Sequence, residues 1–448
     1  MSVSPARAAA YEILLRTETA GAYASELLHS PRFAKLSTAD HGLLTELVMG
    51  VLRWRSVLDK RIAEHSSQPL PKLDKEVLSA LRLGAYQLLF LDRIPIHAAV
   101  DESVELVKQA RKRSAAGMVN AVLRKIKRGA RDLNDTSHPE WLVERWQQNY
   151  GADATRKICD YDNTAPKQTI RVSSITSASK TAKSGAPSSL GSGNLELNEL
   201  MTDGIRLEPG KLLATAFTVT SGDITQTKAF RERRLIIQDE ASQLVALLVG
   251  KGTAILDCCA APGGKTRIMA EQNPDSAVVA MELHPRRAAL LRKLVTASNV
   301  HVIAADARQI PLDENFDRVL VDAPCSGTGT LARNPEIKWR LKEEDIAQMQ
   351  AYQVEILSAA MKHVAIHGRV IYSTCSLEPE ENERVVEKAL AANPEFGLID
   401  CRIELQRLKE DHELLIDDVE SLLSGPYLRT TPGVHPTDGF FAAILEKT

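Results

Sequence analysis

Beyond Leu235 short apolar runs alternate with amphipathic helical stretches, and this alternation constrains the fold more than any other feature of the chain. The runs predict strands at Ala254–Asp257, Ala277–Met281, His301–Ala304, Arg318–Val321 and Arg369–Ser373, with helices between them such as Arg286–Thr296 and Asp345–Val364. Strands joined through helices pair in parallel, because a parallel neighbour needs a long crossover, so the expected class is α/β with a doubly wound sheet. Pro432–Leu445 reads as a closing pair of strands, in which Phe440, Phe441, Ala442 and Ala443 suit a late antiparallel element.

The first part of the chain has a different pattern. From Ala6 to about Arg131 the apolar residues recur at helical spacing, as in Leu43, Leu44, Leu47, Val48, Val51 and Leu52 and again in Val77, Leu78, Leu81, Ala85 and Leu88. An all-α bundle is expected there. Its last helix, near Ser114 to Arg128, lies among Lys108, Arg111, Lys112, Arg113, Arg124, Lys125, Lys127 and Arg128. Residues 1–135 carry 21 basic and 15 acidic side chains, whereas the other 313 residues carry 35 and 43. Such asymmetry marks a module that meets a polyanion, or a solvated helical face. Between the two parts, residues 136–234 read as a smaller mixed α+β unit containing a flexible loop rich in Ser, Thr, Ala and Gly, Ser173 to Asn194.

No apolar stretch reaches the roughly 18 residues that span a bilayer, and Arg7 and Glu12 interrupt the N-terminal apolar residues, so a cytoplasmic protein is expected. The six cysteines have no framework spacing, which suits a reducing compartment and leaves thiols free for chemistry.

The chemistry gathers at the expected carboxyl ends of strands, where open α/β sheets bind ligands. The first strand runs into Asp257-Cys258-Cys259-Ala260-Ala261-Pro262-Gly263-Gly264-Lys265-Thr266, a turn of small residues opening a helix. A P-loop would need glycine where Cys259 stands, and the dinucleotide spacing G-x-G-x-x-G is absent. Glu282 closes the second strand, where a carboxylate can take both hydroxyls of a ribose, and Asp306 follows the third, where it can accept from an adenine amine. The fourth strand ends in Asp322-Ala323-Pro324-Cys325 and the fifth in Ser373-Thr374-Cys375, which puts two cysteines on one rim. Either cysteine alone is more often a small core residue. Zinc is a poor alternative, since no C-x-x-C pair or nearby His-rich segment supplies four ligands, and no metal is expected.

The blocks DCCAAPGGKT, DAPCSGTGTLARNPEIKWR and YSTCSLEPEENE resemble those of the bacterial ribosomal RNA cytosine-5 methyltransferase family of the Sun/Fmu type, and the helical residues 1–130 resemble the RNA-binding domain of the antitermination factor NusB. The resemblance implies a Rossmann-like class I methyltransferase domain over 235–448, preceded by an all-α NusB-like domain over 1–135 and the small mixed unit over 136–234. It implies S-adenosyl-L-methionine as cofactor, with Cys259, Ala260, Ala261, Pro262, Gly263, Gly264, Lys265, Glu282, Asp306 and Asp322 in contact with it or its immediate surroundings. It implies small-subunit ribosomal RNA as substrate; no stable protein partner is expected. Where the family usually has Asn after Arg171-Val172, this chain has Ser173.

Carbon 5 of cytosine is too weak a nucleophile to take a methyl group unaided, and a thiolate adding to carbon 6 makes it one. The resemblance gives that role to Cys375 and the release of product to Cys325, as a base or the helper of one. Asp322 can stabilise the developing charge at ring nitrogen 3 or the exocyclic amine. DNA cytosine-5 enzymes use the Pro-Cys cysteine as nucleophile instead, so the choice between Cys325 and Cys375 rests on the RNA-type motif around Cys375.

Overall fold

The computed structural model describes residues 3–20, 22–129, 136–172 and 195–448. The expected loop from Ser173 to Asn194 lies outside the described residues, as does the end of the predicted helical stretch at Arg131. The chain divides into two compact units, Met1–Ala165 with Leu331–Leu341, and Pro166–Thr330 with Lys342–Thr448.

The first unit is helical throughout. Helices at Pro5–Ala20, Thr38–Arg53, Arg55–Ala63, Lys75–Phe90, Ile96–Gln109 and Ala116–Lys125 surround one core. The helix Lys75–Phe90 is its axis, buried at every position from Val77 to Leu89. Two glycines permit the close approach of neighbours: a Cβ at Gly50 would lie 1.9 Å from the Tyr86 ring, and one at Gly84 would lie 2.6 Å from Leu123. Arg82, buried on the axial helix, stays charged because Asp59 grips it at 2.7 and 2.8 Å and Glu18 at 3.2 Å. The segment Leu331–Leu341 joins this unit from far along the sequence. Arg53 donates to the Ala332 carbonyl at 3.0 Å, Lys338 to the Arg53 carbonyl at 3.0 Å, and Trp339 Nε1 to the Leu52 carbonyl at 2.5 Å.

The second unit contains two sheets. The smaller is antiparallel, built from β1 (Gln168–Val172), β2 (Arg206–Pro209), β3 (Ala216–Ser221) and β4 (Leu235–Ile237) in the order β2-β3-β1-β4. The larger contains β5 (Ala254–Asp257), β6 (Ala277–Glu282), β7 (Val300–Ala304), β8 (Phe316–Asp322), β9 (Val364–Thr374), β10 (Phe396–Ile399), β11 (Leu423–Ser424), β12 (Tyr427–Thr430) and β13 (Phe440–Lys447). Its order is β11-β12-β13-β9-β8-β5-β6-β7, with β10 paired to β13. β5 to β9 are parallel and β13 runs antiparallel to β9, so the α/β class read from the alternation of runs and helices is the one observed.

Both faces of the large sheet are apolar, as a sheet covered on both sides requires. Ile255, Val278, Leu320, Ile371 and Ile444 face a core shared with the helices Glu240–Leu248, Gly264–Gln272 and Cys401–Glu410. Leu256, Val319, Val321, Val370 and Leu445 face the other, shared with Glu343–Met361 and Glu383–Ala392. Most boundaries shift by one or two residues from the sequence reading, and two differ more. The helix Glu343–Met361 stops short of Val364, where β9 begins five residues before the predicted start, because Val364 pairs with Phe316 across a register shift. The closing strands lie at Tyr427–Thr430 and Phe440–Lys447, outside most of Pro432–Leu445, since Pro432 to Gly439 forms the connection between them. No helix among the described residues is long and apolar enough to cross a membrane.

Candidate active site

The strand order reverses at β5: the chain moves outward through β6 and β7, then returns to place β8 on the other side. Two adjacent parallel strands whose following connections lead to opposite sides open a crevice at their carboxyl ends, and β5 and β8 form it here. The turn after β5 is held into the sheet at both edges, by Cys258 N to the Leu320 carbonyl at 2.9 Å and Ala260 N to the Met281 carbonyl at 2.8 Å. Gly263 takes φ 112°, and a Cβ there would lie 2.5 Å from Val295, so glycine is required both for the backbone conformation and for the helix packed against it.

A cavity of about 170 Å³ lies over this turn, lined by Ile237, Gln238, Asp257, Cys259 to Pro262, Gly264, Lys265 and Asp322. Asp257 is buried at its floor. Thr266 donates to Oδ2 at 2.7 Å, and burial pushes the carboxyl up to about 7. Lys265 crosses the cavity and pairs with Asp322 Oδ2 at 2.7 Å, while Ser373 donates to the other oxygen of Asp322 at 2.9 Å.

Glu282 and Asp306 occupy the next two strand ends but do not line this cavity. Glu282 closes β6, is 5% exposed, and accepts from the His284 amide at 3.0 Å. Asp306 lies two residues beyond β7 and is engaged by its neighbour Arg308, whose backbone N–H donates at 2.9 Å and whose guanidinium donates at 2.7 Å. That ion pair holds the Asp306 carboxyl below the usual carboxylate range. The Arg308 guanidinium also lies 5.0 Å from the centre of the Tyr352 ring.

The rim past β8 and β9 brings the two predicted cysteines together, Cys325 Sγ to Cys375 Sγ at 3.3 Å, both as free thiols. The pairing of the strands explains this: Asp322 lies opposite Ser373, so the loops that follow leave the sheet side by side. The hydrogen bond to Cys375 and burial together push the Cys325 thiol well up. Cys258 and Cys259 are also pushed up by burial, and Cys258 is a core residue beneath the turn.

Several polar residues at the rim escaped the sequence reading. Glu381 is fully buried and bonded to both Ser326 and Ser376, and Asn382 accepts from Thr374 Oγ1 at 2.6 Å and donates to the Ser376 carbonyl at 2.9 Å. Ser373 and Asp257 are further examples. Asp257 and Ser373 carried only a place near a strand end as sequence signal, and Glu381 and Asn382 carried none.

Comparisons with known proteins agree with this geometry. Residues 244–446 match the family described as 16S rRNA methyltransferase RsmB/F, residues 4–128 the NusB family, and residues 138–182 the RsmF/B-like ferredoxin-like domain. A probable ribosomal RNA small subunit methyltransferase B of Bacillus subtilis is 34% identical over 469 residues, covering 100% of both chains. A ribosomal RNA small subunit methyltransferase B of Vibrio cholerae is 31% identical, covering 98% of this chain and 97% of the relative. Among solved structures, PH0851 superposes with a TM-score of 0.77 at 25% identity over 100% of both chains. NSun6 from Pyrococcus horikoshii, solved with SFG, shares the fold with a TM-score of 0.55 at 19% identity, over 69% of this chain and 98% of that one. The Rossmann-like sheet with its switch-point cavity, the helical NusB-like unit and relatives matched from end to end together place this chain in the 16S rRNA methyltransferase RsmB/F family.

Proposed function

We propose that this methyltransferase places a methyl group on carbon 5 of a cytosine in small-subunit ribosomal RNA, through a covalent bond between Cys375 and the base. The observation that carries the reading is the thiol pair at 3.3 Å on the same rim as Asp322, which is itself tied to the cofactor turn by Lys265.

The cavity over the turn suits S-adenosyl-L-methionine: Ala260, Ala261 and Gly264 line it with little side chain, beside the acids Asp257 and Asp322, and a Cβ at Gly264 would stand 3.0 Å from Gln238. We assign Cys259 to Lys265 and Asp322 to the cofactor's surroundings, Glu282 to its ribose hydroxyls and Asp306 to its adenine. When bound, the cofactor supplies a methyl group on a positively charged sulfur to carbon 5.

The remaining steps belong to the protein. Cys375 adds as thiolate to carbon 6, forming the S–C6 bond and pushing the ring electrons towards carbon 5. In its thiol form Cys325 can donate the hydrogen bond between the two sulfurs and so stabilise the thiolate form of its partner. Asp322 holds the exocyclic amine or the proton at nitrogen 3. After methylation the carbon 5 proton leaves to a base, either Cys325 in its thiolate form or a group it assists, the C5–C6 double bond reforms, and Cys375 departs as thiolate.

The target base must stand out of its stack to reach this rim. We assign the hold on the RNA backbone to the helical unit, where Arg111, Arg113, Arg124, Lys125, Lys127 and Arg128 are exposed. The three-part division at 1–135, 136–234 and 235–448 belongs to this proposal, as does a cytoplasmic location. Incubating the protein with small-subunit rRNA and methyl-labelled cofactor, then mapping 5-methylcytosine, tests the reading; label on any atom other than carbon 5 of cytosine would refute it.

A further inference from the structure

The residues that follow the two rim cysteines meet at one buried carboxylate. Ser326, next after Cys325, gives its backbone N–H to Glu381 Oε1 at 2.8 Å and its hydroxyl to Oε2, and Ser376, next after Cys375, gives its hydroxyl to Oε2 as well. Gln353 Nε2 donates to the other oxygen at 3.0 Å and to the Pro324 carbonyl at 2.8 Å, so it too secures the Cys325 loop. Every one of these donors is neutral. Burying a carboxylate against neutral donors is costly. What a carboxylate alone offers is acceptance of all four bonds at once, because it carries no hydrogen of its own.

The strands do not supply the same control. Pairing between β8 and β9 ends at Asp322 and Ser373, before either thiol. Past that point the loops meet directly, Gly329 N at the Cys375 carbonyl at 2.9 Å, Leu377 N at Thr328 Oγ1 at 2.9 Å and Ser326 Oγ beside Ser376 Oγ at 3.1 Å, and Glu381 fixes the last of these contacts by accepting from both hydroxyls. We infer that Glu381 is a positioning residue that sets the spacing of Cys325 and Cys375 through the two serines. Its catalytic meaning rests on the cysteine mechanism proposed above; the spacing itself does not.

The test uses the full chain and the isosteric variant Glu381→Gln, which must donate at one end where the native residue accepts. The first readout needs no RNA. Diamide removes two hydrogens from the thiol pair, closing a Cys325–Cys375 disulfide while it is reduced to the hydrazine, and non-reducing peptide mass spectrometry follows the rate. The second is the split of kcat from KM. A displacement of about 1 Å can cost on the order of 100-fold in rate, so kcat should fall by roughly that factor in Glu381→Gln with the KM for RNA unchanged. Disulfide closure should slow in parallel, with the cofactor affinity held. Ser326→Ala and Ser376→Ala each cut one arm, should slow closure part-way, and decide the matter if Glu381→Gln does not fold. Closure at the wild-type rate in Glu381→Gln, or in both serine variants, overturns the inference. Absence of methylation by the wild-type chain would instead refute the function, leaving the difference in closure rates to decide this proposal.

Discussion

Lys265 stands in the first turn of the helix that follows β5, yet its ammonium pairs at 2.7 Å with Asp322 at the end of β8, across the switch-point crevice. The side chains are only 12% and 27% exposed, so solvent screens the pair weakly. We expect Lys265→Met and Asp322→Asn to be non-additive in kcat/KM, with a coupling of roughly 0.5 to 3 kcal/mol. A double-mutant cycle measures it; additive losses would separate the cofactor turn from the base-holding acid.

The two cysteines should arrest different states. Addition precedes methyl transfer and elimination follows it, so Cys375→Ala should yield neither methylated RNA nor a covalent species. Cys325→Ala should transfer methyl and then stall as a protein–RNA adduct that survives a denaturing gel. Adducts from Cys375→Ala and none from Cys325→Ala would reverse the roles.

Glu282 closes β6 almost buried, with one oxygen already taken by the His284 amide. Glu282→Ala should weaken S-adenosyl-L-methionine binding by about 1.5 to 3 kcal/mol, the cost of losing hydrogen bonds to a charged acceptor. Calorimetric titration checks it, and equal affinities would reduce Glu282 to a cap on the turn that follows β6.

Arg124, Lys125, Lys127 and Arg128 are exposed at the end of one helix, although Arg128 also donates to the Leu91 carbonyl at 2.9 Å. Replacing all four with Ala should flatten the salt dependence of RNA binding, by about 0.7 in logarithmic slope for each phosphate of single-stranded RNA that is no longer neutralised. Arg128 should contribute least. An unchanged slope would remove this face from the RNA site.

Lys338 is fully buried in the helical unit, and burial pushes its ammonium down to about 7. The unfolded chain holds that proton up to about pH 10.4. Between these values the unfolded state binds more protons, so stability should rise with pH, by up to about 1.4 kcal/mol per unit. Lys338→Met should lose this rise and gain stability near neutrality. Denaturant melts of both proteins from pH 7 to 9 decide it, and parallel curves would mean that Lys338 keeps an ordinary proton affinity.

What could be read along the chain was whatever follows from neighbours in sequence. Strand ends, the small-residue turn and the two cysteines on one rim came from local runs, since a strand carries its last residues to a known edge of the sheet. The rim's buried acid did not. Glu378, Glu380, Glu381 and Glu383 crowd one stretch, and nothing local distinguishes Glu381; its burial and its partners Ser326 and Gln353 come from the three-dimensional fold. Similarly, DAPCSGTGTLARNPEIKWR reads as one motif, yet its second half, from Leu331, belongs to the helical unit, because Arg53 and Leu52 hold it there.

That division has a consequence for synthesis. When residue 165 has left the ribosome, the helical unit still lacks Ala332, Glu336, Lys338 and Trp339, and these are made only as translation approaches Leu341. At about 5 to 20 residues per second the gap is roughly 10 to 35 s, during which Arg53 and the Ala24 amide wait for partners. The first part of the protein to be born is thus among the last to gain all its contacts.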